Sequence, residues 1–134
     1  MGDRLTDARN SLYAQLVPLL DAGRVSAYPP ASVVAPCYWI ETATGGQQTA
    51  GSATYFVATF PVVAVVDGDV KIQSLTLDEM IARAVDALRK AKTADVLSWQ
   101  ASSLDVGGPT LRAATIQVAV GLVARTLCDP PLTT

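Results

Sequence analysis

The sequence predicts an α+β fold: a mostly antiparallel sheet with an N-terminal helix and one amphipathic helix packed on it. Three observations lead there. Residues 54–66, "TYFVATFPVVAVV", and 111–123 are long, rich in branched residues and nearly free of charge, which favours strands. Residues 76–90 carry apolar side chains at helical spacing, as does the stretch 3–22. Proline- and glycine-rich pieces separate these segments and mark turns.

Taken in order, residues 3–22 read as a helix. Asp3 is placed as its N-cap, Leu5, Ala8, Leu12, Leu16 and Leu19 or Leu20 form its stripe, and Pro18 kinks or ends it. The prolines of 24–36 favour extended chain, with a short strand at 25–28. "CYWIET" at 37–42 reads as a strand. Residues 43–54, "ATGGQQTAGSAT", are small, uncharged and glycine-rich, the composition of a flexible loop or a long hairpin tip. In 54–66, Pro61 predicts an edge position or a bulge. "DGD" at 67–69 reads as a turn.

"TLDE" at 76–79 has the form of a capping box, with Thr76 as the cap and Glu79 reaching back to its amide. Leu77, Met80, Ile81, Ala84, Val85 and Leu88 then line one helix face. Residues 96–105 read as a strand and 106–110 as a hairpin-type connection. In 111–123, Ile116, Val118, Val120 and Leu122 share one parity, and Thr115, Gln117, Ala119 and Gly121 the other. Alternation therefore makes this a strand; it is too short and too interrupted for a membrane helix, which needs about 20 apolar residues.

The two long strands pose a question. An antiparallel sheet with a wet back carries charge on that face, yet here both parities are apolar or small. Either the first helix covers the second face or another subunit does.

Composition narrows the function. The chain has 134 residues, a net charge of −2 and no histidine. That length fits a single domain over 1–134. The charge balance gives no basic excess for specific nucleic-acid binding, and the commonest acid/base and metal ligand is missing. Asp67 and Asp69 lack the further ligands of a calcium loop. Neither Gly45-Gly46 nor Gly107-Gly108 has the context of a phosphate cradle, and no histidine stands ready to activate Ser98, Ser102 or Ser103. Trp39, Trp99 and Tyr38 read as core or interface anchors. Cys37 and Cys128 read as buried thiols, with a disulfide left open. The expectation is a protein with no catalytic residues, no cofactor and no metal. Acids close to the N-terminus argue against a signal peptide.

The order of elements carries a resemblance. A helix ending in "DAGRVSAYPPASVVAPCYWIE" is followed by the strand "TYFVATFPVVAVVDGD" and the helix "TLDEMIARAVDALRKA". Then come "VLSWQASS", a glycine turn and "LRAATIQVAVGLVART". Over nearly its whole length this resembles the tail terminator proteins of long-tailed, non-contractile, lambda-like bacteriophages. The resemblance implies a homo-oligomer, a hexameric ring that caps the tail tube, stops its polymerisation and joins the tail to the head. Its partners would be the major tail tube protein and a head-tail connector or stopper protein, with DNA passing through the ring lumen and no membrane involved. The place would be the virion tail or neck, after assembly in the host cytoplasm. The family has no active site. Its loops are often acidic, whereas 43–54 is uncharged here.

Within that reading, Val63, Val65, Thr115, Gln117, Ala119 and Gly121 are the candidate ring interface. Gly45, Gln47, Gln48 and Thr49, with Asp105, Gly107 and Gly108, are the candidate contacts to tube or neck. The alternatives are another neck ring component, such as a head-completion or stopper protein, and a small α+β ligand-binding or enzymatic domain.

Overall fold

The computed structural model describes residues 4–20, 23–51, 53–66, 70–91, 94–105 and 110–122. Helix α1 (Arg4–Leu16) runs into a 3-10 turn (Val17–Leu19), where Pro18 takes a helix-start position that needs no N–H. Strands β1 (Val25–Ser26), β2 (Cys37–Ile40), β3 (Thr44–Ala50) and β4 (Ala53–Val65) follow, then α2 (Val70–Leu88), β5 (Ala94–Asp105) and β6 (Thr110–Leu122). The sheet order is β1-β2-β4-β6-β5, with β3 also paired to β4. All pairings are antiparallel except β1 with β2. The α+β expectation is met. Asp3, the 67–69 turn, Gly107, Gly108 and Cys128 lie outside the described residues.

Both helices cover the same side of the sheet. Leu12 and Leu16 of α1 join Leu77, Ala84 and Leu88 of α2 in one core with Phe60, Val62, Ile116 and Val118. Ile116 and Val118 belong to the larger, apolar parity that the sequence sets apart in 111–123, so alternation there reports burial. Of the two alternatives for the second face, cover by α1 is not what is found: the two helices pack side by side on the first.

Three element boundaries differ from expectation for physical reasons. The capping-box motif is not a helix start, because Thr76 lies inside α2, which begins at Val70. Glu79 pairs instead with Arg83 one turn on, an exposed contact that adds little to stability. The glycine-rich segment is not a loose loop but the outer strand of a hairpin, registered from Thr44 opposite Thr59 to Ala50 opposite Ala53. Pro61 is neither at an edge nor in a bulge. It sits mid-sheet where β4 changes partner from β3 to β2.

At that change-over the Pro61 carbonyl accepts the Glu41 N–H at 2.8 Å. In a strand the N–H and C=O of one residue point to the same side. The missing N–H of Pro61 therefore faces the gap between Ile40 and Thr44, and no bond to β6 is lost.

One buried cation ties these parts together. The Arg9 guanidinium donates to the carbonyls of Ala27 (2.6 Å), Ile40 (2.7 Å) and Glu41 (3.0 Å). It also lies over the rings of Tyr28 and Phe60, 4.5 and 5.4 Å from their centroids. A second cross-link joins sheet and helix, as the buried Tyr38 hydroxyl donates to the Met80 carbonyl at 2.7 Å.

Two outcomes test these links. Arg9→Met leaves three carbonyls without their donor, so it should lower unfolding free energy by about 3 kcal/mol, read from a urea midpoint shift at constant slope. Tyr38 gives a pH signature. Burial pushes its phenol well above the ordinary value of 10.0. Below pH 10 the native and unfolded states both keep the proton. Above it the unfolded state loses the proton first, so stability falls as pH rises. Tyr38→Phe should remove up to about 1.4 kcal/mol per pH unit of that alkaline slope. Urea melts at about pH 9 and about pH 11 would show it; equal slopes in both proteins would refute the assignment.

Candidate assembly surface

The side of the sheet away from the helices is the candidate surface. The register sets Val57 opposite Gly121, Thr59 opposite Ala119, Pro61 opposite Gln117 and Val63 opposite Thr115. Five of the six proposed interface residues, Val63, Thr115, Gln117, Ala119 and Gly121, therefore share one face, and all are partly exposed. Val57, Thr59 and Pro61 belong with them. Strands β3, β4 and β6 bring no charged side chain to this face; Glu41 and Asp95 flank it.

Val65 is the exception and is withdrawn from the interface. It is fully buried in a second, smaller core with Cys37, Trp39 and Ala113. Val33 and Ala35 pack on that core, in the proline-rich stretch that leads into β2 through a cis Ala35-Pro36 bond. That stretch thus covers one end of the second face, and the residues beyond it, from Val63 to Val57 and from Thr115 to Gly121, are partly exposed at alternate positions. The Trp39 indole N–H donates to Glu41 Oε1 at 2.7 Å, which fixes Trp39 as an anchor of this end. Cys37 is a free, buried thiol. Burial pushes its pKa up against the opposing pull of Arg24, which keeps it protonated and a poor nucleophile.

The two candidate contact regions lie apart. Gly45, Gln47, Gln48 and Thr49 are in β3, exposed along an arm paired with the first residues of β4. Asp105 closes β5 at the opposite end of the sheet and accepts a hydrogen bond from Thr110 Oγ1 at 2.7 Å. The 13 residues of β6 separate those ends by about 40 Å at strand rise. The arm is held close to β4: a Cβ at Gly45 would stand 2.4 Å from the Val57 carbonyl oxygen. Glycine at that position is the sequence signal that marks the arm as a paired strand.

Two grooves flank the sheet on the helix side. One, of about 240 Å³, lies at the base of the arm and is lined by Leu5, Ala43, Phe56 and Leu122 among others. The second, of about 390 Å³, lies between α2 and β5 and is formed by Asp78, Ile81, Ala82, Val85, Asp86 and Trp99. Among the described residues no cluster of acids, cysteines or histidines could hold a metal ion. No described helix is long and apolar enough to cross a membrane. No family model matches the chain, and no curated protein matches it.

Steric room separates the two glycines of the arm. Gly45→Ala should destabilise the protein by about 2 kcal/mol through overpacking against β4. Gly46→Ala meets nothing within 4 Å and should be near neutral. Denaturant titration of the pair checks this; equal costs would mean that the arm does not lie against β4 in solution.

Proposed function

We propose that this protein is a structural, non-enzymatic ring subunit that terminates a phage tail tube. The observation that supports this most is the sheet face away from both described α-helices, where β3, β4 and β6 bring no charge and Val57, Thr59, Pro61, Val63, Ala119 and Gly121 are partly exposed. A monomeric protein with one wet sheet face places charged residues there. A subunit that meets copies of itself has reason to keep such a face uncharged. The resemblance in element order is what supports the tail terminator among ring proteins.

The mechanism in this reading is steric. Copies close into a ring, one end of each sheet docks on the last tube ring, and the next tube subunit finds no site. The arm and the Asp105 end lie at opposite ends of the sheet, which suits a subunit with one partner on the tube side and another toward the head.

The test is light scattering and negative-stain microscopy of the purified protein, alone and with tail tubes. Rings, and density at a single tube end, are the expected result; a stable monomer that ignores tubes would sink the reading. Gly121→Arg sharpens it. An added Cβ at 121 meets nothing within 4 Å, so the variant should fold with an unchanged circular dichroism spectrum. It should lose ring formation, and rings of normal yield would remove position 121 from the interface.

A further inference from the structure

Among the described strands, β3 and β5 each have one side without a partner strand, and backbone geometry says which groups each one offers. The bond from the Glu41 N–H to the Pro61 carbonyl sets the direction along β4: odd residues point their N–H and C=O toward β3 and β2, even residues toward β6. Carried through the register, this pairs Thr44, Gly46 and Gln48 with β4 and turns the backbone groups of Gly45, Gln47 and Thr49 outward. Across the sheet, β6 uses Thr115 and Gln117 toward β5. After the bulge between Val96 and Ser98, β5 pairs through Ser98, Gln100 and Ser102, and turns outward at Trp99, Ala101 and Ser103. Each edge thus presents three residues at alternate positions.

Soluble proteins usually guard such edges with lysine, proline or covering segments. Neither β3 nor β5 has any of these side chains. In all the described strands the sole lysine or arginine is Arg112 of β6. The only charges on β5 are Asp95 and Asp105, near its two ends.

We infer that copies of this chain join head to tail through these edges, the β3 arm of one copy adding as a strand to the outer side of β5 in the next. This rests on the ring reading and adds an edge contact to the one proposed for the open face. The seven residues of β3 match the regular part of β5 after the bulge. Two β5 strands are worse partners for each other, because pairing them brings four carboxylates, Asp95 and Asp105 of each copy, to one joint. The arm carries no charge. An added strand also shields Leu97 and Trp99, both 57% exposed, beside the groove that Trp99 forms with Ile81 and Val85. Joining unlike edges closes into rings where the rotation permits.

Hydrogen exchange of the full chain in its monomeric and assembled fractions tests this. Amides in both Thr44–Ala50 and Ala94–Asp105 should slow about tenfold or more on assembly, with α2 as the internal control. Protection of one edge alone, or of neither, overturns the proposal. If rings form and cap tubes while the edges still exchange, only the edge contact fails. If no assembly forms at any concentration or on tubes, the ring reading fails with it. Ala101→Pro removes one outward N–H and no bond to β6, and edge strands accept proline at such positions. It should fold normally and associate about tenfold more weakly; unchanged association in a folded variant overturns the proposal.

Discussion

Arg9 brings a guanidinium into the core, and the layout of the chain follows from how that group is satisfied. A buried charge costs several kcal/mol unless hydrogen bonds replace its water. Here three carbonyls do so, from Ala27, Ile40 and Glu41, and the faces of Tyr28 and Phe60 close around it. Those carbonyls belong to the segment after β1 and to the end of β2. Both would otherwise stop with unpaired backbone groups, which are costly when buried. The planar fork of arginine can serve several acceptors at once, which a lysine ammonium does less well. The same residue therefore fixes α1 on the sheet and finishes the strands beside the Pro61 gap.

That placement has a consequence for the opposite face. With α1 drawn beside α2, neither described α-helix covers the second side. The proline-rich stretch covers one corner, burying Cys37, Trp39 and Val65, and the remainder stays open. The uncharged face is thus the residue of a packing decision made on the other side of the sheet. Its exposure follows from the position of Arg9 and not from any feature of β6 alone.

What the sequence disclosed was what periodicity and composition encode. The parity of Ile116 to Leu122 and the stripe from Leu77 to Leu88 reported burial faithfully, because alternate strand positions and helical spacing map directly onto one face. Thr115, Gln117, Ala119 and Gly121 were legible as a shared face for the same reason. Long-range terms were not legible. Arg9 sits in a polar-looking helix, and its partners are 18 to 32 residues away. Val65 has the parity of the open face, but Val33 and Ala35 fold over it. Thr76 and Glu79 fit a capping box, yet a helix that already runs from Val70 has no use for one. Residues 43–54 have loop composition, and only the register with β4 turns them into a strand. Pro61 looked like an edge signal because a sequence cannot show that its partner strands break at that point.

The gap at Pro61 also explains how one sheet carries both a rigid body and an arm. β4 serves β2 with its last residues and β3 with its first. Over Phe56 to Val65 it is held by β6 as well. Before Phe56 its partner among the described strands is β3 alone, so among the described residues the arm rests on one ladder of backbone bonds. Stability is lowest where such bonds face solvent without buried side chains. A segment of that kind gains most when a second strand completes its bonding, since the backbone is already extended and little further ordering is required. The arm's lack of charge, its glycines and its outward-facing Gly45, Gln47 and Thr49 are then parts of one property. They make a strand stable enough to keep its register on β4, yet with its outer row of backbone groups turned away from every described strand.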